Sequence, residues 1–427
     1  MVRRGALVAA AAVLAGVVRA TAPRLAGAFR RRRSTRGAAR FARALGHVRR
    51  RQTRLNALAW SAERPDVPLL GIPLLVPPGW MLPRPVPLDQ VRIAMVEPPA
   101  AELLAESRRR ARTLLPRRAD GGRYAGYGQA LVELGGMAHL FDGAIYRPVA
   151  VRPVDGTLAI DFCLAGYFDY LDTSSVLGFE LAGQDLAGRA PVAGGAYRRF
   201  LGTPFDLRRR VTGLGVCTLT IRRDGPDAGF FLHRRDDAWV TEATDQIHVI
   251  PAGDFAPAAC DPGDPSVDGE SGDRPADFAL WRHVMREYLE EFLDLEDGDR
   301  SVERGLPALD RAHREGRLTT HAFGVGLDPL TWKPALLTAC VFDADVFDTL
   351  LGGFVTRATE GTILAGPDRT GLPFTEDAVH RYASDPAVAV NAVSCLRLAW
   401  RHRAALGLVP DAAPPAPQPD LDATADA

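Results

Sequence analysis

The stretch that most constrains the fold of this chain is residues 281–295, where apolar side chains repeat at helical spacing. The apolar positions are Trp281, Met285, Tyr288, Phe292 and Leu295, with Val284 on their flank. This spacing predicts an amphipathic helix with one apolar stripe facing a core. Asp277, shortly before the stripe, is predicted to cap the start of that helix.

Three glutamates follow one side of the same predicted helix. Glu287, Glu290 and Glu291 stand at i, i+3 and i+4, so their carboxylates project together. Carboxylates this close repel one another, and a hard divalent cation relieves the repulsion. Mg²⁺ prefers oxygen ligands and usually keeps substrate phosphates and waters as well. From spacing alone, a plain solvated helix face fits too, and Arg286 is placed to pair with Glu290.

The residues around these glutamates favour metal binding. Residues 286–291 read Arg-Glu-Tyr-Leu-Glu-Glu and resemble the Arg-Glu-apolar-x-Glu-Glu core of the Nudix box. In Nudix hydrolases the three glutamates hold divalent metals that assist attack of water on a nucleoside diphosphate linked to another group. The resemblance implies that Glu287, Glu290 and Glu291 bind Mg²⁺ or Mn²⁺ and that Arg286 belongs to the catalytic motif. It also implies a nucleotide-derived small molecule as the substrate.

The segments on both sides of the box resemble the same family. Four segments have the pattern of strands: residues 215–222, 229–235, 320–326 and 335–342. Residues 249–253 resemble the strand and glycine turn that lead into the box, with Gly253 in the place of its first glycine. The resemblance covers residues 208–370 and implies an α/β fold, a Nudix-like alpha/beta/alpha sandwich with a mixed sheet.

The chain also departs from the family pattern. Leu293 and Asp294 stand where the box ends in a glycine and an apolar residue, and Phe278 replaces the box glutamate eight positions before the arginine. Residues 254–276 form an acidic insertion rich in glycine and proline. Two functions remain open: a Mg²⁺-dependent hydrolase of a nucleoside-diphosphate-linked substrate, and a catalytically inactive nucleotide-binding regulatory or sensor protein.

Further candidates for the site lie outside the box. In the Nudix architecture the strand that carries Arg234 and Arg235 leads toward the substrate, and an arginine there binds phosphate through two parallel donors. The alternative interpretation is that Arg234 and Arg235 are a plain pair of surface residues. His248 and His283 are interpreted as structural. Three acidic residues follow the predicted last strands and are alternatives for a further catalytic carboxylate: Asp343, Asp345 and Glu360.

The N-terminus combines an apolar run with clusters of arginine. Residues 5–18 are continuously apolar, but these 14 residues fall short of the about 20 that a membrane-spanning helix needs. Arginines at 30–33 and 49–51 would lie against an anionic membrane surface. A membrane-associated anchor and a helical extension on a cytoplasmic protein both fit this pattern. No nucleic-acid partner is expected, because few aromatic residues are interleaved with the arginines.

Length and composition set the remaining limits. The 427 residues suffice for two or three domains, and 52 basic against 52 acidic residues create no global field. Five scattered cysteines favour a reducing compartment over a disulfide framework or a zinc site. The oligomeric state stays open. The predicted divisions are an apolar and basic helical extension (1–60), a proline-rich linker or wrap (61–100), an α+β region of unassigned role (101–207), the Nudix-like domain (208–370), C-terminal helices (371–408) and a disordered tail (409–427).

Overall fold

The chain is a mixed α/β protein whose sheets contain both parallel and antiparallel strand pairs. The computed structural model describes residues 34–63, 71–118, 120–138, 140–189, 195–235, 246–257, 278–295, 300–358 and 361–408. The apolar run at 5–18, the arginines at 30–33 and the predicted disordered tail lie outside these ranges. Of the helices inside them, none combines the length and apolarity that a membrane span requires.

The described helices and strands follow one another in short runs along the chain. The helices are α1 (34–50), α2 (Gln52–Glu63), α3 (Ala101–Ala111), α4 (Tyr127–Gly135), α5 (Tyr167–Tyr170), α6 (Val176–Leu186), α7 (Ala196–Leu201), α8 (Leu280–Leu293), α9 (Arg300–Arg314), α10 (Ala344–Leu350), α11 (Glu376–Ala383) and α12 (Val390–Arg401). The strands are β1 (Met81–Pro87), β2 (Arg92–Met95), β3 (Ala144–Val154), β4 (Thr157–Gly166), β5 (Gly215–Asp224), β6 (Asp227–Phe230), β7 (Leu232–Arg235), β8 (Ile247–Val249), β9 (Ala252–Asp254), β10 (Leu318–Leu327), β11 (Pro334–Asp343), β12 (Arg357–Ala358), β13 (Gly361–Leu364) and β14 (Leu372–Pro373).

The largest sheet has seven strands in the order β1-β10-β11-β5-β6-β14, with β9 paired to β5. At its centre β5 and β11 run parallel, and Thr218 lies opposite Thr338 with their hydroxyl oxygens 2.8 Å apart. Both strands are buried on both faces, as is usual where helices cover a parallel pair. The structure thus confirms the strands that were predicted at 215–222 and 335–342.

Helices cover both faces of this sheet. Leu219 and Leu337 share a core with Leu396 of α12. On the other face, the rings of Phe342 and Tyr288 meet with centroids 5.1 Å apart, which packs α8 against β11. Side chains of alternate parity thus enter two separate cores, as the two-residue repeat of a strand requires.

The predicted apolar stripe of α8 is confirmed. Its central members are buried in the core: Val284, Met285, Tyr288 and Phe292. Trp281 and Leu295 pack at the edge of the same core. The centre of the stripe is buried and its two ends are partly buried.

The two ends of α8 differ from expectation. The helix begins at Leu280 with Ala279 at its N-cap, and Asp277, which was predicted to cap it, lies outside the described residues. It ends at Leu293, where Asp294 takes a left-handed conformation with φ 54°. Glycine usually occupies that position because it has no Cβ, and aspartate is one of the few residues that tolerate it.

The predicted strand at 229–235 is two strands in different sheets. β6 pairs with β5, whereas β7 belongs to a four-stranded sheet in the order β12-β13-β7-β8. Phe231 lies between them and stacks on Phe347, with ring centroids 4.7 Å apart. Phe231 is fully buried, so the apolar run is not interrupted where the chain passes from one sheet to the other.

The segment predicted as a proline-rich linker or wrap supplies strands to two sheets. β1 pairs with β10 at the edge of the large sheet, and β2 pairs with β4 in a three-stranded sheet, β2-β4-β3. That small sheet packs on the large one through four rings with centroids 4.8 to 5.7 Å apart: Tyr146, Phe162, Phe255 and Phe278. Phe278, which replaces the box glutamate, is thus a core residue.

A buried group of charged and aromatic side chains joins α2, α7 and the turn between β10 and β11. We call Glu63, Arg198, Arg210 and Trp332 the Trp332 cluster. The guanidinium carbons of Arg198 and Arg210 lie 4.8 and 5.3 Å from the centroid of the Trp332 ring. Arg198 donates to the Glu63 carboxylate at 2.8 Å, and the Trp332 indole N–H donates to the same oxygen at 3.1 Å.

Arg198→Leu is expected to lower the free energy of unfolding by about 3–5 kcal/mol, because it leaves the Glu63 carboxylate without its buried partner. The matched control is Arg199→Leu, which changes an exposed arginine of the same helix and should cost less than about 0.5 kcal/mol. Urea denaturation measures both values. Equal losses in the two variants would contradict a role for the cluster in stability.

Candidate functional site

A cleft of about 580 Å³ opens between the large sheet, α8 and the elements α1, α2 and α4. It lies at the end of β5 and β11 where both strands begin, since Gly215, Cys217, Pro334 and Ala335 line it. All three glutamates that were predicted to bind metal line this cleft. The region of unassigned role, 101–207, also contributes to its lining, through α4 and residues 137–145.

Glu291 is the most buried of the three glutamates, with 5 % of its side chain exposed. Its Oε1 accepts the Ala252 N–H at 2.7 Å, and its Oε2 lies 3.6 Å from Nδ1 of His233. Burial acts to raise the pKa of Glu291, but His233, Arg235 and the Ala252 N–H together hold it below its usual value. The carboxylate therefore stays ionised inside the protein.

Glu287 and Glu290 are more accessible, with 16 % and 17 % of their side chains exposed. Nε of Arg286 lies 3.4 Å from Oε1 of Glu290, so the predicted pair is present. Nδ1 of His283 lies 3.7 Å from Oε1 of Glu287. Burial lowers the pKa of His283 to about 3, so the ring beside Glu287 is neutral at physiological pH.

Gly253 allows the backbone of β9 to lie directly against Glu287. A Cβ at this position would stand 2.2 Å from Oε2 of Glu287, a distance that forces one of the two to move. The pairing of Gly253 with Val216 of β5 fixes the backbone, so the side chain would have to yield. The glycine is needed here for close approach.

Only one of the two arginines predicted to bind phosphate is in the cleft. Arg235 lines it, whereas Arg234 is exposed elsewhere on β7. Neighbouring residues of a strand point to opposite faces, so the two could not both face the cleft. Arg235 also donates to the carbonyl oxygen of Ala252, which ties its guanidinium to β9.

The carboxylates predicted from the end of the last strand are not in the cleft. Asp343 pairs with Arg223 at 2.6 Å, and Asp345 pairs with Arg317. Asp343 is the last residue of β11 and Asp345 follows the strand, whereas the cleft lies where β11 begins. Glu360 is outside the described residues.

Sequence reasoning missed four charged residues of the cleft: Arg49, Asp254, Asp328 and Lys333. Nζ of Lys333 lies 2.7 Å from an oxygen of Asp254. Burial raises the pKa of Asp328, whose carboxylate accepts N–H donors from its own turn. The one sequence signal for any of these residues was that Asp254 directly follows Gly253, a predicted site residue.

The described lining of the cleft carries more carboxylates than cationic side chains. Within the described ranges, no three His, Cys, Asp or Glu side chains are grouped closely enough to hold a metal by themselves. Mg²⁺ is commonly held by one or two carboxylates with waters and substrate phosphates, so a complete protein cage is not required. The described charged residues of the lining are five carboxylates (Asp254, Glu287, Glu290, Glu291 and Asp328) and three cations (Arg49, Arg235 and Lys333). One divalent ion balances this excess.

No protein-family model matches the chain, and a search of curated proteins finds no match. A functional assignment therefore depends on the chemistry of the cleft.

Gly253→Ala is expected to displace the Glu287 carboxylate and to weaken Mn²⁺ binding about tenfold or more. The melting temperature should change little, because the atom that must move is the end of a flexible side chain. Electron paramagnetic resonance titration of Mn²⁺ measures the affinity. Gly183→Ala is the control, since a Cβ there meets no atom within 4 Å. The site assignment is wrong if both variants bind Mn²⁺ as the unmodified chain does.

The buried histidines give the stability a defined dependence on pH. Burial lowers the pKa of both His248 and His283 to about 3, whereas unfolded histidine titrates near 6.5. Between these values the unfolded chain binds more protons, so each histidine lowers the free energy of unfolding by up to about 1.4 kcal/mol per pH unit as pH falls. Urea denaturation between pH 7 and 4.5 should show this loss.

The matched variants for this measurement are His283→Phe and His380→Gln. His283→Phe keeps a ring beside Phe255 and should reduce the dependence on pH. His380 is exposed on α11, so its replacement should leave the dependence unchanged. Identical pH profiles for all three proteins would contradict the neutral, buried state of His283.

Proposed function

We propose that the chain is a Mg²⁺-dependent hydrolase that cleaves the diphosphate linkage of a nucleoside-diphosphate-linked substrate. The observation that carries the proposal is the placement of Glu287, Glu290 and Glu291 in one cleft with Arg235 and Lys333. Carboxylates in excess attract a divalent cation, and neighbouring cationic side chains bind phosphate oxygens. The resemblance of residues 286–291 to the Nudix box supports the same chemistry.

The glutamates are suited to hold a cation and not to remove a proton. Glu287 and Glu290 are accessible from the cleft and would hold the ion with phosphate oxygens and water. Glu291, whose pKa is held low, is a better cation ligand than proton acceptor. When bound, a divalent ion polarises phosphoryl oxygens and lowers the pKa of water. Arg235 and Lys333 would orient the diphosphate.

The three substitutions in the Nudix box lie outside the cleft, whereas the insertion contributes Asp254 to its lining. Phe278 lies in the aromatic core, and Leu293 and Asp294 form the end of α8. None of the three lines the cleft. The altered positions therefore have structural roles, which favours the hydrolase over an inactive descendant.

A regulatory or sensor protein that binds a nucleotide without turnover is the second candidate. It is favoured by the pairing of Arg286 with Glu290 at 3.4 Å, which occupies one of the cation ligands. The two functions differ in a screen of the purified full-length chain against nucleoside diphosphate derivatives, with and without Mg²⁺. Mg²⁺-dependent release of phosphate-bearing products supports the hydrolase, while thermal stabilisation without turnover supports the sensor.

Glu290→Gln is expected to abolish Mg²⁺-dependent turnover, because it removes a negative charge and keeps the shape of the side chain. The free energy of unfolding should change by less than about 1 kcal/mol. Glu315→Gln, an exposed position after α9, is the control and should retain full activity. Product release and Mn²⁺ affinity are measured for both. Unchanged turnover and affinity in Glu290→Gln would overturn the assignment of the glutamates.

A further inference from the structure

Four carboxamide side chains line the cleft together with the charged residues: Gln52, Asn56, Gln246 and Asn391. We call them the carboxamide group. They come from α2, from the start of β8 and from the start of α12, so the fold brings together residues that are far apart in the sequence. Thr53 of α2 donates to the carbonyl oxygen of Pro386 at 2.8 Å, which holds α2 beside the segment that leads into α12.

The carboxamide group has unused hydrogen-bonding capacity. Asn56 and Gln246 are buried, with 6 % and 7 % exposed. The side-chain oxygens of Asn56 and Asn391 are inaccessible to solvent and have no hydrogen-bond partner among the described residues. A buried polar group without a partner costs about 1–3 kcal/mol, so such groups are rare unless something outside the protein pairs with them.

The chemistry of the group indicates what pairs with it. A carboxamide offers one acceptor and one donor side by side, and it carries no charge. This pattern matches the edge of a nucleobase, where donors and acceptors also stand side by side, and two such hydrogen bonds discriminate well. A phosphate offers acceptors only and would be served by Arg235 and Lys333 in the same cleft.

The lining of the cleft also includes an exposed aromatic ring on which a nucleobase can stack. Phe141 has 59 % of its surface exposed, more than any other large apolar side chain that the structure describes. It also lines the cleft. Stacking of a base on such a ring contributes affinity whatever the base is.

We infer that the carboxamide group is the base-recognition subsite, which binds the nucleobase of a nucleoside diphosphate whose phosphates lie at the glutamates. This inference rests on the proposed function, since it assigns a binding site to the nucleobase, the part of the substrate that the charged residues do not contact.

The test uses two ligands that cannot be cleaved, so that binding is measured without turnover. Methylenediphosphonate carries the diphosphate part alone, and α,β-methylene nucleoside diphosphates with each of the common bases carry both parts. Titration calorimetry of the full-length chain with Mg²⁺ gives the affinities. At least one nucleoside analogue should bind about fivefold or more tighter than methylenediphosphonate.

Asn56→Leu is the decisive variant. It should remove the gain in affinity that the base provides and leave the affinity for methylenediphosphonate unchanged. It should not lower the melting temperature, because the side-chain oxygen of Asn56 has no hydrogen bond to lose among the described residues and leucine is well suited to a buried site. A purely structural asparagine would show the opposite, a lower melting temperature with normal binding. Gln90→Leu, at an exposed position outside the cleft, is the control.

The outcomes separate the two proposals. Tight nucleoside binding that Asn56→Leu does not weaken overturns the subsite and leaves the hydrolase standing. Equal affinity of all nucleoside analogues and methylenediphosphonate also overturns the subsite. If no ligand binds at all, with or without Mg²⁺, the proposed function fails and the subsite fails with it.

Discussion

The interaction on which the cleft depends is the buried pairing of Arg198 with Glu63, closed by Trp332. Glu63 ends α2, the helix that carries Asn56, and Trp332 precedes Lys333 in the turn between β10 and β11. Trp332 has a left-handed backbone, φ 59°, which persists only where the surroundings fix it. Removing charges from water is costly, and the cost is offset here because both end nitrogens of Arg198 and the Trp332 indole N–H have acceptors. The cluster thereby ties α2, which carries Asn56, to the turn that carries Lys333.

A second constraint is the sign of the charges behind the glutamates. His233 and His283 are each within 4 Å of a cleft carboxylate, and the low pKa of His283 keeps that ring uncharged. A neutral imidazole can donate a hydrogen bond to a carboxylate without neutralising it. Lysine or arginine in the place of His283 would put a positive charge beside Glu287. The neutral His283 adds no such charge.

Periodicity in the sequence predicted the elements that bury a regular face. The stripe of α8 and the apolar runs of β5, β10 and β11 are visible because their side chains repeat every 3.6 or every two residues. No periodic pattern predicted that the chain changes sheets at Phe231, or that Arg235 and not Arg234 lies in the cleft. Three of the predicted site glutamates share one helix and were found from their spacing. The carboxamide group is spread from position 52 to position 391, so only the fold brings it together.

The edge of the large sheet has a consequence for association between molecules. β1 is its outermost strand on that side, and three of its seven residues are prolines: Pro83, Pro85 and Pro87. A proline has no N–H, so the strand cannot offer a regular row of donors to a strand of another molecule. A sheet of this length with a fully hydrogen-bonding edge would invite intermolecular β-pairing and aggregation. The proline-rich segment thus ends the sheet, and it keeps newly made chains from joining edge to edge.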